Sequence, residues 1–401
     1  MKILKINAAM IIALLASAAL NAQSKPKGPD TADFTFTTIK ENPITSVKNQ
    51  YRTGTCWAFS TIGFVESEII RLNKLKEKDY PDFSEMFVVS KSYQDRAEKY
   101  IRLDGNLTFA AGSEADDVLH VIADYGLVPQ SAMPGLNYGS ELHDHSELDA
   151  ALSAYISAIN KNHGKKLSTA WKRGFTAILD SYLGKCPEDF ELNGKKYTPV
   201  QYRDSYKFNA DDYVTLSSFT HHPFYKTFVI EVCDNWRYDR AYNLPIDEFM
   251  EVLYYAIDNG YTAAWGTDVS EIGFTRTGLA LNVPEPKVKT GSDQEKWVGK
   301  ETVKEDTVKK KEIVEELPVT QESRQEAFDN KTTTDDHGMQ IYGTAEDQDG
   351  HKYFLVKNSW GETGAYKGIW YASDSFVRAK SLDIVVHKDA LPKAIRKKLG
   401  I

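Results

Sequence analysis

The apolar residues of this chain change their spacing once along its length, and that change limits the possible folds more than any other feature. In "CWAFSTIGFVESEIIRLNK", Ala58, Ile62, Val65 and Ile69 recur at intervals of three and four, which predicts a helix opening at Cys56. "FSEMFVVSKSYQDRAEKYIR" predicts a second helix with Ser84 as its N-cap, and "SEADDVLHVIADYG" a third that stops at Gly126. Residues 146 to 185 read as two helices split by "KNHGKK", and "PIDEFMEVLYYAIDNG" as a helix with Pro245 in its first turn. Toward the end the period falls to two. "GMQIYGTAEDQDGHKYFLVKNS", "GIWYAS" and "LDIVVH" alternate or run apolar between turn residues, as strands of an antiparallel sheet do. Helices first and strands later predict an α+β protein.

Composition divides the chain further. Residues 1–22 carry Lys2 and Lys5 ahead of "AAMIIALLASAAL", the pattern of a secretory signal cleaved after Ala22 or, alternatively, after Ala19. A retained anchor is the competing reading. Residues 23–45 form an extended lead-in, 46–283 a mainly helical half and 319–401 a β-rich half. Between the halves, residues 284–318 hold eight lysines and nine acidic residues. Such a segment is a solvated insertion or, more sharply read, a docking site for a partner.

Hydrophobic residues make up 41% and charged residues 26%, an ordinary globular balance. Loss of the two signal lysines takes the net charge from −8 to 47 − 57 = −10. An acidic surface argues against nonspecific nucleic-acid binding, which needs cations for phosphate. No membrane span is expected once the signal is removed. An exported chain meets oxidising conditions, and the three cysteines leave at least one unpaired. Cys186 and Cys233 either pair with each other or are inert, which makes Cys56 the odd one out.

A cysteine nucleophile acts as its thiolate, and a helix N-terminus and a nearby imidazolium both stabilise that anion. Cys56, following "RTGT", meets the first condition by position. The ring must come from elsewhere and be held by a third group.

"QYRTGTCWAFS", "TTDDHGMQIYG" and "YFLVKNSWGETGAYKGIWY" together resemble the nucleophile, histidine and asparagine segments of papain-like cysteine peptidases, in that chain order. "SEMFVVSKSYQDRAEKYIRLDG", "YGLVPQSAMP", "GTDVSE" and "IVVHKDALPKAI" resemble the bleomycin hydrolase and aminopeptidase C branch. The resemblance spans roughly residues 40 to 398. It implies a papain-like two-domain fold, a helical domain plus an antiparallel β domain, with helical insertions. The 281 residues from Cys56 to His337 exceed the roughly 130–150 of short papain-like enzymes, which fits that branch. By the same resemblance Cys56 is the nucleophile, His337 the acid and base, and Asn358 the residue that orients its ring. Gln50 and the Cys56 N–H form the oxyanion hole, and Gly112, Ser113, Trp57 and Trp360 bind substrate, Trp360 also shielding the His337–Asn358 bond. Asp335 and Asp336 are expected to favour a charged His337.

The chain also departs from the pattern. Thr53 stands where such enzymes usually carry a disulfide cysteine, and Ser113 replaces a second glycine. Little sequence follows "VVHKDALPKAI", whereas that branch has a tail that fills the cleft and limits cleavage to N-terminal residues. A cleft open at both ends, with endopeptidase activity beside or instead of aminopeptidase activity, is therefore expected. The branch is mostly cytoplasmic and assembles as hexamers, so the resemblance implies a homo-oligomer while the signal implies export to periplasm or medium. Peptides are the implied substrates, with no metal or organic cofactor; His221-His222 reads as a loop pair rather than a metal site. Two other functions use the same residues: a non-catalytic peptide-binding pseudoenzyme, and an acyltransferase in which an amine competes with water.

Overall fold

The computed structural model describes residues 31–162, 166–284 and 315–401. The predicted signal, residues 1–22, and most of the charged 284–318 segment lie outside the described residues. The helices are α1 (Cys56–Asn73), α2 (Glu85–Arg102), α3 (Ala115–Tyr125), α4 (Ser146–Asn160), α5 (Ala170–Leu183), α6 (Pro199–Asp204), α7 (Ile246–Asp258), α8 (Gln321–Asp329), α9 (Asp374–Lys380) and α10 (Lys393–Leu399). The strands are β1 (Thr37–Glu41), β2 (Phe190–Leu192), β3 (Lys195–Tyr197), β4 (Tyr213–Ser217), β5 (Thr227–Val229), β6 (Arg240–Asn243), β7 (Ala263–Thr267), β8 (Leu279–Ala280), β9 (His337–Glu346), β10 (Lys352–Lys357), β11 (Ile369–Ser373) and β12 (Ser381–His387).

Ser84 caps α2 by accepting a hydrogen bond from the Phe87 N–H at 3.1 Å, as its position predicts. Helix α1 differs from the others because fourteen of its eighteen residues are buried, including Glu66 and Glu68. A helix buried all round must lie between two layers. One layer is the α2–α5 group, whose core gathers Phe64, Phe87, Val118, Leu152 and Leu179. The other is a ten-stranded sheet in the order β5-β6-β4-β12-β7-β9-β10-β11-β8, with β1 added to β9. Behind that sheet α7, α9 and α10 bury Phe249, Leu253, Phe376 and Ile395.

The sheet does not respect the division drawn at residue 283. Strands β4, β7 and β8 precede that point and pair with β12, with β12 and the long strand β9, and with β11 respectively, while β6 and β5 extend the sheet beyond β4. A run such as "AAWGT" of β7 is short and buried on both faces, so it carries no period-2 alternation to betray it. Strand β1 likewise turns part of the lead-in into sheet. The charged segment leaves and rejoins at one place: the Leu317 N–H donates to the Asn282 carbonyl at 2.8 Å.

Candidate active site

Cys56 is the first residue of α1, and the first-turn N–H groups of a helix have no acceptor within it. The Thr55 hydroxyl does not cap them, being paired with Thr53 Oγ1 at 2.6 Å. Strand β9 begins at His337 and presses against this turn. Gly338 permits the approach, since a Cβ there would stand 2.8 Å from Ser60 Oγ and 3.4 Å from the Trp57 Cα. The Gly338 and Trp57 N–H groups both bond the Cys56 sulfur.

His337 is 6% exposed. Its Nε2 lies 2.7 Å from Asn358 Oδ1, which leaves Nδ1 for the cleft side of the ring. Asn358 follows the last residue of β10, and β10 pairs with β9, so the sheet register brings amide and ring together. Trp360 covers this pair, its ring 4.9 Å from the imidazole at an interplanar angle of 32°. Trp370 and Phe274 hold Trp360 in place by edge contacts at 5.5 and 5.9 Å.

Cys56 and His337 line one cleft of about 250 Å³. Burial pushes the Cys56 thiol up to about 11, against the pull of the Gly338 and Trp57 N–H groups. Burial also holds the His337 imidazole down at about 4, opposed by Asn358 and Asp336. Desolvation thus disfavours either charge alone; a thiolate and an imidazolium formed together by proton transfer attract each other and offset that penalty.

Gln50 is fastened to the loop that carries Asn358. Its N–H donates to the Ser359 carbonyl at 2.8 Å, and its Oε1 accepts from Ser359 Oγ at 2.6 Å. Its Nε2 donates to the Thr53 carbonyl at 2.8 Å, which spends one of two hydrogens. Trp57 is 2% exposed and its indole N–H donates to the Ala111 carbonyl at 3.0 Å. Its indole therefore braces the Gly112 wall, and Trp57 lines the same cleft as Cys56. Gly112 lines the cleft, and a Cβ there would fall 1.9 Å from Asp234 Oδ2. Ser113 lines it too, but its hydroxyl is engaged, accepting from Trp236 Nε1 at 2.7 Å and donating to Asp117. Trp360 and Gln50 do not line the cleft.

The expectation for the two aspartates holds for one of them. Asp336 favours a charged His337, whereas Asp335 turns toward Glu114, with which it shares a hydrogen bond. Asp335 also opposes ionisation of Cys56. Sequence reading missed Glu114, Thr61, Asp234 and Asp383, all of which line the cleft. Asp383 had a signal, a lone acid inside the apolar run "LDIVVH"; Glu114 had none, being one of three acids clustered at the start of α3 with Asp116 and Asp117. All three cysteines are unpaired, with Cys186 near Ser90 Oγ and Cys233 exposed. His221 and His222 both point to Glu231, at 3.0 and 2.9 Å, and the ligand atoms of the three lie within 4.8 Å of one another.

The peptidase C1-like family model matches residues 4–284 and 287–400. Aminopeptidase G of Lactobacillus delbrueckii subsp. lactis is 22% identical over 88% of this chain and 83% of its own. Aminopeptidase C of Lactobacillus helveticus is 22% identical over 90% and 85%, and that of Streptococcus thermophilus 23% over 86% and 81%. Among solved structures, PepW from Lactobacillus rhamnosis HN001 superposes with a TM-score of 0.70 at 20% identity, covering 99% of this chain and 95% of its own. The match over nearly the whole chain places it in the peptidase C1-like family, as a papain-like cysteine-type peptidase of the α+β class.

Proposed function

We propose that this chain is an exported cysteine peptidase that cleaves peptide bonds through a thioester on Cys56. The juxtaposition of a helix-first cysteine and a buried imidazole at one cleft, with the Asn358 amide bonded to the far nitrogen of that ring, carries the reading. His337 takes the thiol proton through Nδ1, and the sulfur attacks the scissile carbonyl. Asn358 Oδ1 accepts from Nε2–H, which fixes the ring and favours its cationic form. The Cys56 N–H and the second Gln50 Nε2 hydrogen stabilise the oxyanion. His337 then protonates the leaving amine, the C–N bond breaks, and a water deprotonated by His337 hydrolyses the thioester.

Aminopeptidase activity is supported by the relatives' printed names, and endopeptidase activity is proposed beside it. Export rests on residues 1–22. A thiol-directed epoxide should label the wild-type protein and not Cys56→Ala. Absence of labelling in the wild type would sink the catalytic reading and leave a peptide-binding protein. Digestion of one peptide with free and N-acetylated ends separates the two activities; strict rejection of the blocked form excludes the endopeptidase.

A further inference from the structure

Three adjacent strands meet the first turns of α1 across the cleft, and their register sets an unusual wall. Asp383 of β12 pairs with Gly266 of β7, and Gly266 pairs with Gly338 of β9. Two glycines and Ala264 leave the sheet surface bare at this row, and the Asp383 carboxylate occupies the room. A Cβ on Gly266 would lie 2.4 Å from Asp383 Oδ1. Opposite stand Glu114, just before α3, and Asp335, just before β9.

No lysine or arginine among the described residues lines this cleft. Asp234 is offset by Arg96, 3.9 Å away, and Asp336 is turned to Thr334 and Ser270. Glu114, Asp335 and Asp383 have no such cation among the described residues. Asp383 is 5% exposed and takes a single backbone N–H, that of Gly266. Independently, Thr61 is fully buried, lines the same cleft, and its Oγ1 has no hydrogen-bond partner. A buried hydroxyl without a partner and three uncompensated acids in one cavity are costly in an empty site. They are explained if a donor-rich cation enters.

The ends of the site differ. Asn358 and Trp360 lie away from this cavity, against the ring that hands its proton to the leaving amine. The leaving half therefore departs past the ring, and the carboxylates stand where the acyl half lies.

We propose that Glu114, Asp335, Asp383 and Thr61 form a cation subsite beside Cys56 that selects substrates with an ammonium or guanidinium group on the acyl side of the scissile bond. This rests on the peptidase reading for its role but not for its binding. The cation comes from a lysine or arginine side chain one residue upstream, or from the α-ammonium of the residue attacked. Burial and mutual repulsion hold protons on these acids, lifting Asp335 and Asp383 to about 7 and Glu114 well above its usual range. An entering cation replaces a shared proton, which passes to solvent.

The test uses full-length Cys56→Ala protein and calorimetry with acetyl-Lys-Ala-Ala-amide, acetyl-Nle-Ala-Ala-amide, and Ala-Ala-amide with and without an N-acetyl group. Preference for lysine over norleucine assigns the side chain, and preference for the free over the acetylated dipeptide assigns the α-ammonium. Either supports the subsite if it falls at least about tenfold in Asp383→Asn or Glu114→Gln. Proton release on binding, read from heats in buffers of different ionisation enthalpy, should accompany the preferred peptide. Thermal melts identify a variant that fails to fold, in which case the other decides. No preference in either pair, or a preference unchanged in the folded variants, overturns the proposal. A protein that binds the cationic peptide yet is neither labelled nor active keeps the subsite and loses the peptidase reading; cleavage without preference does the reverse.

Discussion

The imidazole of His337 separates two unlike environments. On one side Asn358 and Trp360 enclose it, with the Asn358 Oδ1 satisfied by Nε2 and by the Ser359 N–H at 2.7 Å. On the other, the cavity shared with Cys56 holds Glu114, Asp335 and Asp383 with no lysine or arginine among the described residues lining it. The closed side is arranged to hold one geometry, since a ring packed and hydrogen-bonded on fixed neighbours loses its freedom to turn. The acidic side stores an unmet electrostatic demand that a substrate can meet. Positioning and selection are thus divided between two faces of one ring.

Changes at the sulfur test both sides together and should be largest. Cys56→Ala should lower kcat/KM for any cleaved peptide by on the order of 10⁴-fold or more, measured with a fluorogenic amide. A smaller loss would mean another group carries the chemistry. Gln50→Ala should cost roughly 10²- to 10³-fold, chiefly in kcat, as expected for an oxyanion donor; a pure rise in KM would assign it to binding instead. Asn358→Ala breaks the closed side alone. Its cost should be roughly 10²-fold in kcat, with the lysine-over-norleucine ratio retained, because the acids are untouched. Loss of that ratio would show that the two faces are not independent.

The smallest effect is one of pH. Asp335 and Asp383 have pKa values raised to about 7, so they are neutral below that value and charged above it. Preference for the cationic peptide should therefore grow as pH rises through about 7 and fade as pH falls. The groups acting on Asp383 are Asp335 and Glu114 across the cavity, Asp116 of α3 and the Gly266 N–H beside it, while Arg96 acts on Asp234 and Asp117. Cys56 and His337 titrate as well, and taking the ratio of two peptides at each pH cancels their contribution. A flat ratio from pH 5 to pH 8 would count against carboxylates as the source.

The long helices were legible from apolar residues spaced by three and four or from a cap. Ser84 and the Ala58–Ile69 spacing mark α2 and α1 where they fall. Cys56, His337 and Asn358 were legible because their motifs are local: a turn before a helix, a strand start, a strand end. Strands β4, β7 and β8 were not, since short runs buried on both faces lack alternation, and β5 and β6, of three and four residues, are too short to show a period. Nor were the roles of neighbours: Trp57 and Ser113 lie next to the site in sequence, yet the fold commits the indole to Ala111 and the hydroxyl to Trp236 and Asp117.

By itself the sequence determined the fold class, the family and the residues able to supply a nucleophile, a base and an orienting amide, since periodicity and short motifs are properties of neighbours along the chain. Only the tertiary structure decided which acids face the sulfur. Glu114, Asp335 and Asp383 come from segments more than two hundred and sixty residues apart at the extremes. Strand register and the bare row at Gly266 and Gly338 bring them into one cavity, and no local pattern encodes which residues share a row across three strands.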